Sequence, residues 1–114
     1  MAKHEEFNLK FVKIQPPIGS IRYSCTQDIP DSYATLVGII PRISAIECEA
    51  LIEEIENAEN GAYYEQYFSL DASAASDDDG IEINPPNVVF NSVLSIPFAD
   101  AKMLIQEWLD FLNT

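Results

Sequence analysis

Positive charge is scarce in this 114-residue chain: six Lys and Arg stand against 19 Asp and Glu, a formal charge of −13. Nucleic-acid phosphates and anionic lipid surfaces repel such a chain, which disfavours nucleic acid and membrane as general partners and favours a basic protein. Histidine is limited to His4, in what reads as a frayed end, whereas a catalytic base needs a fixed neighbour and some burial. Zinc has no ligand set without a second histidine. The two cysteines, Cys25 and Cys48, fall in separate segments and read as reduced, buried thiols. Glycine occurs four times with no Gly-rich phosphate loop, so a nucleotide site is not indicated. No apolar run is long enough for a bilayer, and Met1-Ala2-Lys3-His4-Glu5-Glu6 has no apolar segment behind it, which argues against a secretory signal. These absences lead to the expectation of a cytoplasmic protein that is not an enzyme and needs no cofactor or metal.

What is present is a core. Hydrophobic residues make up 47% of the chain, enough for one globular domain over residues 1–114 and too little length for two. Phe7, Leu9 and Phe11 alternate with polar residues in a strand ending near Ile14, and Ile21, Tyr23 and Cys25 alternate in a second. With Pro16-Pro17-Ile18-Gly19 between them they form an antiparallel hairpin. Thr35 to Ile40, apolar with Gly38 inside, reads as a central strand bulged at the glycine. Ser44 and Glu47 then form a capping box, with Ile43 and Cys48 at the staple positions. Cys48, Leu51, Ile52 and Ile55 recur at helical spacing until Asn60-Gly61 stops the helix.

Tyr63 to Leu70 suits a strand, Asp71 to Gly80 a small acidic loop, and Ile81-Glu82-Ile83 a short strand. Pro85-Pro86 marks an edge or a wide bend before Val88-Val89-Phe90. From Pro97 a second helix carries Phe98, Ala101, Leu104, Ile105, Trp108, Leu109, Phe111 and Leu112 on one apolar face, with Trp108 assigned to the core. The expected fold is α+β: an antiparallel sheet of about five or six strands with two amphipathic helices, about 45–59 and 97–112, packed on it.

Charge is unevenly distributed. Residues 1–46 hold five basic and four acidic side chains, whereas residues 47–114 hold Lys102 alone against 15 acidic ones, a formal −14. Asp77-Asp78-Asp79-Gly80 lacks the EF-hand ligands, since Ala75 and Pro86 stand where they would be needed. A solvated acidic loop is the simpler reading. Glu49, Glu53 and Glu56 line one helical stripe, and with Asp77, Asp78, Asp79 and Glu82 they are the expected electrostatic contacts to a cationic partner. Tyr63 and Tyr67, on the face of their strand opposite Tyr64 and Phe68, are the expected anchors.

In size, charge and element order the chain resembles the immunity proteins of bacterial contact-dependent growth inhibition and other polymorphic toxin systems. The segment from Ile96-Pro97-Phe98 through Trp108-Leu109-Asp110-Phe111-Leu112 is similar to the amphipathic last helix of several of them. The resemblance implies an inhibitor that binds one cognate toxin domain, often a basic nuclease, and covers its active site or substrate cleft. A type III-like secretion chaperone, an acidic homodimer, is the alternative, followed by a small-ligand-binding domain. Oligomeric state is left open, with a monomer favoured.

Overall fold

The computed structural model describes residues 2–69, 80–91 and 93–114. Their order is α1 (Lys3–Glu6), β1 (Lys10–Ile14), β2 (Arg22–Thr26), α2 (Ala34–Ile39) running into a 3-10 turn (Ile40–Arg42), α3 (Ala45–Glu59), β3 (Tyr67–Ser69), β4 (Gly80–Asn84), β5 (Asn87–Phe90), β6 (Leu94–Pro97) and α4 (Phe98–Leu112). The fold is α+β. Its six described strands divide between two antiparallel sheets instead of joining in one: β1-β2, and β3-β4-β5-β6 in chain order. No helix among the described residues is long and apolar enough to cross a membrane.

The best-specified element is α3. Ser44 Oγ accepts the Glu47 N–H at 3.2 Å while Glu47 Oε1 accepts the Ser44 N–H at 3.0 Å, the capping box that the spacing predicts. At the other end Gly61 takes φ +73°, a left-handed conformation costly for a residue with a Cβ. Its N–H reaches the Ala58 carbonyl at 3.3 Å and the Ala62 N–H reaches Asn57 at 2.9 Å, the paired bonds of a Schellman stop. Cys48, Leu51 and Ile55 are buried along one side.

Ile81, Ile83, Val88, Phe90 and Ile96, the alternate residues of β4, β5 and β6, belong to the same buried cluster as Leu51 and Ile55 of α3 and Leu104, Ile105 and Trp108 of α4. The helices therefore lie on one face of the four-stranded sheet, α3 against β4 and α4 against β5 and β6. The β1-β2 hairpin joins the core from the side, through aromatic rings. Phe11 meets Trp108 edge-on at 5.0 Å and Tyr23 meets Phe111 edge-on at 5.6 Å. Trp108 is buried, and its indole N–H donates to the Ile43 carbonyl at 2.9 Å, fixing α4 to the residue that precedes the α3 cap.

Several segments depart from the local reading. Thr35 to Ile40 is not a bulged strand: Ala34–Ile39 is helical, and Leu36, Ile39 and Ile40 are buried at spacings of three and four. Its β-branched residues favour a strand locally, but the burial of that one side decides the outcome. Asp31 holds the turn before this helix, its carboxylate accepting the Tyr33 N–H at 2.8 Å and side-chain bonds from Asn8 at 2.6 Å and Gln27 at 2.8 Å. The first strand begins at Lys10, not Phe7, because α1 occupies the preceding residues and Asn8 turns the chain at φ 61°. Tyr63 to Leu70 contributes only Tyr67–Ser69 as strand, with Leu70 outside the described residues.

Pro85-Pro86, joined by a cis peptide, forms a two-residue turn between Asn84 and its partner Asn87 and makes neither an edge nor a wide bend. Pro97 ends β6 opposite Asn87 and stands as the N-cap of α4, so the helix starts one residue after it. The Phe98 N–H is taken by the Pro86 carbonyl at 3.1 Å.

Trp108→Phe preserves most of the apolar volume but leaves the Ile43 carbonyl without its donor in a buried site. A loss of roughly 2 kcal/mol is expected. It should appear in urea unfolding as a lower midpoint with an unchanged slope, and parental stability in this variant would show that the bond contributes nothing.

Candidate functional site

Because Cys48, Leu51 and Ile55 face the core, the opposite side of α3 faces solvent. Glu49, Glu53 and Glu56 are exposed there as the helical spacing predicts, and Ile46, three residues before Glu49, heads the same line with 78% of its surface exposed. Lys102 of α4 reaches the lower end, 2.6 Å from Glu59 and 4.0 Å from Glu56. Glu49 and Glu53 have no basic partner among the described residues. The stripe therefore grades from one compensated end to an uncompensated one beside an exposed isoleucine.

The aromatic segment divides as its alternation predicts. Tyr64 and Phe68 pack against the core, while Tyr63 and Tyr67 are 83% and 70% exposed. The Glu65 N–H donates to the Glu54 carboxylate, which ties the segment to α3, and the Tyr63 hydroxyl donates to Glu65 Oε1 at 3.4 Å. Tyr63 thus stands with the helix. Tyr67 instead pairs across strands with Glu82, which accepts from the Gln66 amide at 3.4 Å. Two residues back along β4, a Cβ on Gly80 would lie 2.9 Å from the Phe68 carbonyl oxygen, so only glycine allows β3 and β4 to approach this closely.

The expected contacts are therefore not one patch. Ile81 and Ile83 point to the buried face that α3 covers, so Glu82 and its partner Tyr67 look out from the other side of the sheet. Glu49, Glu53 and Glu56 look out from the helical side, and Tyr63 is linked to the flank of the same helix through Glu65 and Glu54. Asp77, Asp78 and Asp79 lie outside the described residues. Ile46, Glu54 and Glu65 join the helical group without having been singled out by the sequence reading. Ile46 was legible from its spacing to Glu49 and Glu53, whereas Glu54 to Glu65 depends on the path of the chain after the stop at Gly61.

His4 is not in a frayed end. Its imidazole stacks on Phe11 at 4.3 Å, and Nδ1 lies 2.7 Å from Glu107 Oε1. Glu107 also accepts the backbone N–H of Lys3 at 2.7 Å and of His4 at 2.8 Å, so a carboxylate of α4 caps the start of α1. Lys3 adds an ion pair to Asp100 at 3.0 Å. Partial burial opposes the Glu107 charge, but the two backbone donors and the imidazole prevail and hold its carboxyl below the usual range.

Burial pushes the thiols of Cys25 and Cys48 up to about 12. Such thiols carry almost no thiolate at neutral pH and are poor nucleophiles. Among the described residues no group of three or more His, Cys, Asp or Glu could hold a metal ion. An open groove lined by Glu5, Asn8, Leu9, Lys10, Asp28 and Ile29 holds the Lys10–Asp28 pair at 3.8 Å. The chemistry this surface offers is the presentation of fixed negative charge beside exposed apolar side chains.

Comparisons with protein-family models, with curated proteins and with solved structures find no match.

Glu107→Gln tests the cap. A carboxylate whose folded pKa is depressed stabilises the fold above its unfolded value, here 4.5, and that contribution is lost as pH falls through the folded value. The variant is therefore expected to lose about 1 kcal/mol near neutrality, like a lost helix cap. Its stability should also fall less steeply than the parent's below pH 4.5 when urea midpoints are compared across pH. Parallel profiles would show that the cap does not depend on charge.

Proposed function

We propose that this chain is an immunity-type protein that binds a basic toxin domain, a nuclease being the class its charge fits best, and covers the cationic surface with which that domain attracts phosphates. The observation that carries the reading is the α3 stripe: Glu49 and Glu53 without basic partners among the described residues, headed by exposed Ile46, with exposed Tyr63 on the segment bonded to the helix through Glu65 and Glu54. Carboxylates spaced along a rigid helix can occupy a cleft built for phosphates, and Ile46 and Tyr63 supply the apolar contact that charge alone does not. Tyr67 and Glu82, on the other face of the sheet, are a second contact available to a partner that wraps the sheet edge. Asp77, Asp78 and Asp79 add charge in the sequence between β3 and β4.

Size and composition support the same reading. A chain at −13 associates fastest with a partner of opposite sign, because long-range attraction raises the encounter rate before any contact forms. Inhibition of a secreted or delivered toxin needs fast capture more than it needs chemistry, and the surface described here supplies charge and anchors.

The test begins with capture of the tagged protein's partner from its native lysate at low and high salt, followed by identification and assay of that partner. One basic protein whose nuclease activity is blocked at one-to-one stoichiometry is the expected result. With that partner, Glu49→Lys/Glu53→Lys/Glu56→Lys is expected to slow association by roughly tenfold or more and to flatten its salt dependence, with a smaller effect on dissociation. An unchanged association rate would move the interface away from α3. A partner that is not basic would end the proposal.

A further inference from the structure

The acidic body of the molecule has an opposite pole. Residues 9–27 contain Lys10, Lys13 and Arg22 and no acidic side chain. In the β1-β2 hairpin Lys13 lies 5.8 Å above the Tyr23 ring, and Arg22, cross-strand from Ile14, has no partner among the described residues. The tip is apolar as well as basic: Ile18 is 92% exposed, and Ile14 and Ile21 are each nearly half exposed. Isolated exposed isoleucines are ordinary, but three around one turn, with cations beside them, have the composition of an interface.

The complement of this tip is on the same chain. The α3 stripe presents Glu49 and Glu53 beside Ile46, so cation meets carboxylate and isoleucine meets isoleucine when the two surfaces face each other. They do not meet within one molecule. Phe11 and Tyr23 hold the hairpin against Trp108 and Phe111, and the exposure of Ile18 and Ile46 shows both surfaces to be open.

We propose that a second copy of this chain is the occupant: the β1-β2 tip of each protomer seats on the α3 stripe of the other, in a two-fold dimer. The reciprocal exchange satisfies both poles at once and closes the assembly, as two-fold contacts do. An anionic lipid surface would also suit the tip alone, but it leaves the α3 stripe unoccupied, whereas a second copy, although its net −13 is repelled at long range, offers carboxylates and an exposed isoleucine to the tip and its own tip to the stripe. The inference does not depend on the identity of any basic partner. Where such a partner uses the same stripe, it and the second protomer exclude each other.

Sedimentation equilibrium with a charge swap tests the dimer. In roughly 0.05 M salt the wild type is expected to have the mass of two chains, and in roughly 0.5 M salt, where screening is strong, the mass of one. Lys13→Glu/Arg22→Glu and Glu49→Lys/Glu53→Lys are each expected to be monomeric at low salt, since each places like charges in both contacts. Mixed in equal amounts they should recover the dimer, because the reversed tip meets the reversed stripe while the two native surfaces meet each other. Recovery also shows that both variants are folded.

A wild type that stays monomeric at low salt overturns the proposal, and so does a dimer indifferent to either reversal. A mass that keeps growing with concentration would replace the closed pair by an open head-to-tail chain. A monomer whose binding to anionic vesicles is abolished by Ile18→Asp would assign the tip to a lipid surface instead.

Discussion

The indole of Trp108 makes the hydrogen bond on which the arrangement of the molecule depends. By donating to the Ile43 carbonyl it fixes α4 against the residue just before the α3 cap, and so sets how the two long helices share the sheet. The same ring receives Phe11 of the hairpin edge-on and lies 5.6 Å from Phe111, which in turn meets Tyr23. Phe11 carries the contact outward to His4, and His4 bonds Glu107, the residue before Trp108. A loop of contacts therefore starts and ends on one turn of α4. It locks α1, the hairpin and the start of α3, three elements with no sheet in common.

That closure explains how the chain tolerates its charge. Fifteen acidic side chains against one basic one over residues 47–114 repel each other, a term that works against the compact state. Many of the described carboxylates that do face a partner serve structure: Glu107 caps α1, Asp31 holds the turn before α2, Glu47 completes the α3 box, and Glu56 and Glu59 hold Lys102. Described carboxylates without a basic partner, such as Glu49 and Glu53 on α3, Glu82 on the sheet and Asp110 on α4, are bonded only to neutral donors or to water at the surface, where water and salt reduce the repulsion most. The residual charge is thus left where it harms folding least and reaches a partner best.

The parts of this design that were legible in the sequence are those fixed by neighbours along the chain. The α3 boundaries follow from Ser44, Glu47 and Asn60-Gly61, and the exposed stripe follows from the spacing of the buried Cys48, Leu51 and Ile55. The alternation of Tyr63, Tyr64, Tyr67 and Phe68 correctly separated exposed from packed rings. What was not legible depends on residues far apart. Nothing near His4 announces Glu107, and nothing near Phe11 announces Trp108. The helix at Ala34–Ile39 is too short and too β-branched to declare itself. It forms because Leu36, Ile39 and Ile40 are buried together and Asp31 gathers donors from Asn8 and Gln27. The separation into two sheets has the same origin, since strand pairing is decided by which faces the helices cover.

The division of the expected contacts between two faces changes what a binding surface on this molecule means. A patch spanning Glu82 and Glu49 would need a partner that wraps around the sheet edge, whereas Ile46, Glu49, Glu53 and Tyr63 belong to α3 and the segment bonded to it. That helix is closed at both ends by satisfied backbone groups and backed by a packed core, so the backbone beneath its carboxylates needs no ordering when a partner arrives. Ordering costs are a large part of what weakens association, and a preformed helix avoids most of them. In the binding proposed above, charge would then accelerate the encounter, and Ile46 and Tyr63 would supply contact once water is excluded. The compensated end at Lys102 matters too, because by occupying Glu59 and approaching Glu56 it confines the unpaired charge to the upper turns of α3. Glu49 and Glu53 are therefore left without a basic partner on the same rigid helix that exposes Ile46, and it is this coincidence that leads us to propose α3 over the sheet face as the principal contact.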